Sequence, residues 1–133
     1  MITINRTAYL TILAHCQTAY PLEACGFLAC REAQFFAVYM IENAFHSPVT
    51  FEMDAQQQLQ AMINSEALGL TDMVIYHSHP AGPPRPSATD RRQAYYPAWP
   101  QLIVSLAQRT APEVRAFMIS QTAVRQVAYQ IAS

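Results

Sequence analysis

A chain of 133 residues, with eight basic and nine acidic side chains and a net charge of −1, has the length of one domain. At 52% hydrophobic and 13% charged residues it is too apolar for a disordered segment, and it lacks the basic footprint that nucleic-acid binding requires. No apolar run approaches the ~18 residues of a membrane span, and Asn5, Arg6 and Thr7 interrupt any signal-like start, so the expectation is one cytoplasmic domain spanning residues 1–133.

Taken in chain order, the first predicted element is a helix capped by Asn5, with Tyr9, Ile12, Leu13, Cys16 and Tyr20 on one stripe and Pro21 as its stop. Residues 25–30 and 34–41 read as two strands joined by a polar turn at Arg31 and Glu32. Asp54 caps a second helix that turns Leu59, Met62 and Ile63 to the core, with Gly69 just past its end. Residues 73–79 form a buried strand that feeds a Pro/Gly loop over 80–86, and Ser87 opens a short helical segment. Strands over 102–106, 114–119 and 124–131 complete the chain. Interleaved helices and strands predict an α/β (α+β) fold, a mixed sheet flanked by helices. Three cysteines, Cys16, Cys25 and Cys30, are an odd number and read as reduced, buried thiols rather than a disulfide framework. Cys25 and Cys30 lie five apart, so an uninterrupted strand turns them to opposite faces and they cannot share a metal.

Chemistry concentrates at the end of the strand over 73–79. In His77-Ser78-His79 the histidines are two apart, so a strand turns both imidazoles to one face, where they can meet on one ion. Asp90 follows eleven residues after His79, behind the proline-rich loop and one helical turn. Two imidazoles and a carboxylate leave one position of a tetrahedral zinc for water, the arrangement of a catalytic site rather than a structural one. Each piece has a plainer reading. Single histidines are usually core or surface residues, the reading kept for His15 and His46, and Ser87-Ala-Thr-Asp90 matches a helix capping box. Joined as His-x-His-x7-Ser-x2-Asp, the pieces weigh differently. With four His, seven Ser and three Asp in the chain, random placement produces that pattern with a probability on the order of 10⁻⁴. The metal reading prevails. Tyr95, Tyr96, Pro97 and Trp99 admit two readings, as the flank of a substrate groove or as core.

The run Tyr76-His77-Ser78-His79-Pro80, with Ser87 and Asp90 at their spacing, resembles the signature of the JAMM (MPN-plus) metalloproteases. Pro21-Leu-Glu23-Ala-Cys25-Gly26 resembles the segment that supplies the family's catalytic glutamate. The resemblance implies that His77, His79 and Asp90 hold one Zn²⁺ per chain. It further implies that Glu23 is the general base and then acid, and that Ser87 stabilises the oxyanion. On composition alone Glu23 is one of six glutamates, so only the resemblance singles it out. No signature position is missing, which argues against the family's metal-free scaffold members. The short form is similar to small prokaryotic members, and implies a peptidase or isopeptidase acting after the Gly-Gly tail of a ubiquitin-like or sulfur-carrier protein. The other readings are a zinc-holding interaction module without catalysis and a phage-tail or cell-wall peptidase.

Overall fold

The computed structural model describes residues 1–32 and 35–133. The elements run β1 (Ile2–Asn5), α1 (Arg6–Ala19), β2 (Cys25–Arg31), β3 (Phe35–Ile41), α2 (Ala55–Ala67), β4 (Asp72–His79), α3 (Ala88–Arg92), β5 (Gln101–Ser105), β6 (Glu113–Ile119), β7 (Val124–Val127) and β8 (Tyr129–Ala132). The expected mixed sheet is present: six strands in the order β3-β2-β4-β5-β6-β7, with β4 and β5 parallel and the other neighbours antiparallel. A parallel pair needs a crossover rather than a hairpin; the 21 residues between β4 and β5, which hold the proline loop and α3, provide it.

The two faces of the sheet are covered differently. Ile12 and Cys16 of α1 pack with Leu28, Val74, Tyr76, Leu102 and Val104 on one face. On the other, Ala61 of α2 joins Phe27, Ala29, Ile41, Met73 and Ile75. Because strand residues alternate between faces, Tyr76 and Ser78 belong to the α1 side while Ile75, His77 and His79 belong to the α2 side. Asn5 accepts from the backbone N–H groups of Thr7 and Ala8, as an N-cap should, and Asp54 accepts from that of Gln57.

Several expectations need correction. Leu59 and Ile63 are exposed (60% and 52%), whereas Met62, half-buried, does pack against the core beside buried Ala61; Ser65 is the other buried residue of α2. Ala61 and Ser65, four apart, lie on one stripe of the helix, and Leu59 and Ile63 fall outside it. Tyr20 lies beyond α1 and is exposed, its ring taking the Arg109 guanidinium at 4.0 Å. Cys30 is half-buried, whereas Cys16 and Cys25 are buried; all three are free thiols. The segment 124–131 is not one strand: β7 ends the large sheet, and β8 instead pairs in parallel with β1, a strand the sequence did not announce. Gln34, the expected start of the second strand of the hairpin, lies outside the described residues.

Candidate metal centre

β4 runs out of the core with its last three residues buried, and His77 and His79 leave the same face beside each other. α3 brings Asp90 to them. Ser87 is its N-cap, with Oγ accepting from the Asp90 N–H at 3.0 Å while the Ser87 N–H donates to Asp90 Oδ2 at 2.9 Å. The capping box and the metal reading are thus one arrangement: the cap aims the carboxylate. His77 Nε2, His79 Nε2 and Asp90 Oδ2 make a triangle with sides of 3.1, 3.2 and 2.9 Å. Three ligands held about 2.0–2.1 Å from a tetrahedral zinc stand roughly 3.3 Å apart, so the donor set fits that ion without rearrangement. His79 Nδ1–H donates to the Pro83 carbonyl at 2.8 Å, which leaves Nε2 as the lone-pair nitrogen aimed at the triangle. The proline loop is itself tied down, with Ser105 Oγ donating to the Gly82 carbonyl at 2.6 Å.

Glu23 lies in the turn before β2, 3% exposed. Cys25 stands directly opposite His77 in the antiparallel β2–β4 register, so Glu23, two residues earlier, comes alongside His79. Its Oε1 and the Nδ1 of His77 are buried polar atoms without a hydrogen-bond partner among the described residues. His77 Nδ1 is on a ring of the triangle, and Glu23 is near enough to be influenced by the charges of His77, His79 and Asp90. Burial pushes the Glu23 carboxyl up to about 6, against the pull of His77 and His79. Burial also disfavours charge on Asp90, but His77, His79 and the Ser87 N–H overcome it and hold Asp90 well below the usual carboxylate range. For His79 burial is likewise opposed, and outweighed, by the bonds to Asp90 and the Pro83 carbonyl, leaving it above the ordinary value.

Three further residues shape this centre that sequence reasoning passed over. Phe51 stacks on the His77 ring at 4.7 Å. Buried Asn43 holds the loop that carries Phe51: its amide donates to the carbonyls of Glu23, Ser47 and Thr50, and its oxygen accepts from the N–H groups of Phe45 and Glu52. Ser78, on the opposite face, accepts from the Ala24 N–H at 2.8 Å and so fixes the backbone next to Glu23. A lone Asn after a strand carries no periodic signal, and Ser78 was legible only as the residue between two histidines. His15 and His46 stay outside the centre. The first bonds the Tyr76 hydroxyl at 2.6 Å, and the second is exposed beside Glu42. Cys25 lies next to the centre, its thiol pushed up to about 12 by burial and the nearby Glu23 and so kept protonated.

The chain is similar to several known proteins. Residues 6–120 match the family described as prokaryotic homologs of the JAB domain. The chain is 34% identical over 113 residues to a desampylase of Pyrococcus furiosus, covering 85% of this chain and 78% of that protein. It is 33% identical over 117 residues to a CysO-cysteine peptidase of Mycobacterium tuberculosis, covering 86% and 80% respectively. A solution structure of a protein from Desulfitobacterium hafniense superposes with a TM-score of 0.86 at 35% identity, covering 99% of this chain and 93% of that one. The chain belongs to the prokaryotic homologues of the JAB domain. Within that class it is a hydrolase of the JAMM isopeptidase type. No helix among the described residues is long and apolar enough to cross a membrane.

Proposed function

We propose that this protein, as one domain over residues 1–133, is a cytoplasmic zinc peptidase or isopeptidase that cuts after the C-terminal Gly-Gly tail of a ubiquitin-like or sulfur-carrier protein. The observation that carries the reading is the juxtaposition of three converging ligand atoms with a buried carboxylate whose Oε1 has no partner. His77, His79 and Asp90 would hold one zinc ion, which when bound makes water acidic enough to supply a nucleophile near neutral pH. Glu23 takes the proton of the attacking water at Oε1 and then delivers it to the leaving amine. A carboxyl raised to about 6 is suited to both halves of that task. Ser87 Oγ accepts from the Asp90 N–H, so its own hydrogen is free to donate to the oxygen on which negative charge develops. Phe51, lying flat on His77, keeps bulk water from that side of the centre.

An interaction module has no use for Glu23, because an unpartnered buried carboxylate weakens a fold and serves only chemistry. The substrate class is supported by the relatives, one named a desampylase and one named for CysO and the cysteine joined to it. The test is zinc content together with cleavage of a ubiquitin-like protein extended past Gly-Gly, for the wild type and Glu23→Gln. About one zinc per chain in both, with cleavage by the wild type alone, is expected. Absence of metal, or substantial cleavage by Glu23→Gln, would overturn the assignment.

A further inference from the structure

Beside the metal centre a cleft of about 500 Å³ opens between the loop 43–53 and the segment 93–96. Its floor is a row across three strands: Phe27 of β2 pairs with Ile75 of β4, and Ile75 pairs with Gln101 of β5. That row lies one pleat repeat, about 6.6–6.8 Å, before the row that holds His77. Asp90 is shared by cleft and triangle. Glu23 is at the opposite side, alongside His79, so cleft, metal ligands and proton carrier follow one another along β4.

The walls are aromatic. Phe45 and Tyr95 are 48% and 70% exposed, and Tyr96, also in the lining, stacks on Trp99 at 4.7 Å. Bulky apolar side chains left open to water around a concavity are what a binding site keeps and a plain surface avoids. The lining also holds the neutral amides Gln58, Gln93 and Gln101, of which Gln101 is only 6% exposed. Peptide groups of an extended chain are the natural partners of such amides. Glu52 and Asp90 are the charged groups of the lining, and among the described residues no basic side chain joins them, which disfavours an acidic segment.

Resting on the function proposed above, we propose that this cleft is the specificity pocket for a bulky apolar side chain of the substrate on the acyl side of the scissile bond, at the third residue before it. The leaving amine must depart toward Glu23, so the acyl part of the substrate lies over the other side of the metal ligands, where the cleft is. An extended peptide advances 3.2–3.4 Å per residue, so one pleat repeat corresponds to two residues. Two glycines pass the crowded triangle under Phe51, and the residue before them reaches the aromatic walls.

The chain's single tryptophan is a built-in reporter, since Trp99 stacks on Tyr96 and meets Phe27 edge-on at 5.9 Å. Zinc-loaded Glu23→Gln protein is titrated with three synthetic hexapeptides, Ala-Thr-Leu-Gly-Gly-Ala, Ala-Thr-Ala-Gly-Gly-Ala and Ala-Thr-Ala-Gly-Gly-Leu, while Trp99 fluorescence is read. The first should bind roughly tenfold or more tightly than the other two, and filling the cleft by Ala44→Phe or, independently, Ala55→Phe should erase that preference. Both alanines are exposed, so either variant should fold. Equal responses to the three peptides, no saturable response to any, or a preference for leucine after the glycines would each overturn the proposal. The same peptides distinguish the two readings. Binding as expected without cleavage of an extended carrier by the wild type leaves the cleft standing and removes the proposed reaction. Cleavage with no preference at the residue before Gly-Gly removes the cleft alone.

Discussion

Replacing Glu23 by glutamine should stabilise the metal-free protein, and by an amount that depends on pH. The carboxyl is pushed by burial from 4.5 to about 6, a difference of 1.5 units, and at 1.36 kcal/mol per unit this is about 2 kcal/mol. The folded value lies above the unfolded one, so the folded state holds the proton more tightly. The carboxyl is therefore tolerated below about 4.5 and increasingly opposes folding as pH rises through about 6. Glutamine has nearly the same shape and no charge. Its advantage should be about 2 kcal/mol at pH 8 and a few tenths at pH 4.5. In a chain of this length that advantage corresponds to a rise in Tm of roughly 5–10 °C at pH 8. Thermal melts of both proteins after dialysis against a chelator, at pH 4.5 and pH 8, measure it directly. A difference that is the same at both pH values, or a wild type more stable at pH 8, would refute the claim that Glu23 is an uncompensated buried acid. The gain in stability should coincide with loss of turnover, as at sites where function requires a strained group.

Three other perturbations examine separate parts of the structure. Asp90→Asn should abolish metal binding, so that zinc at about a thousand times the wild-type Kd raises wild-type stability by roughly 4 kcal/mol and leaves the variant's melting curve unchanged. Ser87→Ala should lower stability by about 1 kcal/mol through loss of the α3 cap, while kcat falls roughly a hundredfold or more with KM nearly unchanged; a purely KM effect in steady-state kinetics would contradict its oxyanion role. Gly26→Ala places a methyl group against the Tyr39 carbonyl and the Tyr76 ring, so a loss of about 3 kcal/mol or more in urea denaturation is expected, and a neutral result would mean that β2 and β4 are less tightly packed than described.

The clustering of His77, His79 and Asp90 was legible because two simple rules coincide there. A two-residue spacing in a strand delivers both imidazoles to one face, and a capping box fixes the carboxylate that follows Ser87. Glu23 obeyed no such rule. Its importance comes from where β2 lies against β4, a pairing across about 50 residues that periodicity does not encode, and only resemblance to a family pointed to it. Asn43 and Phe51 escaped notice for the same reason, since what they do depends on which loop folds over which strand. The helix α2 misled in a different way. Its leucine and isoleucine are the most apolar residues available, yet the fully buried positions are held by Ala61 and Ser65. Hydrophobicity names candidates for burial; the face that the helix turns to the sheet chooses among them.

The parallel pairing of β1 with β8 gives the fold the character of a ring closed by hydrogen bonds instead of a covalent link. Ile2 lies opposite Tyr129 and Asn5 opposite Ala132, while Ile4 beside Ile131 reaches into the core under α1. Removing either strand alone would strip the other of its only ladder among the described residues and uncover that corner of the core. Joining the two ends by a short linker and reopening the backbone in an exposed turn, such as the one after β6, should by contrast leave every contact of the metal centre in place. The β1–β8 pairing thus predicts a molecule that tolerates a change in where its backbone is cut more readily than the loss of either of these strands.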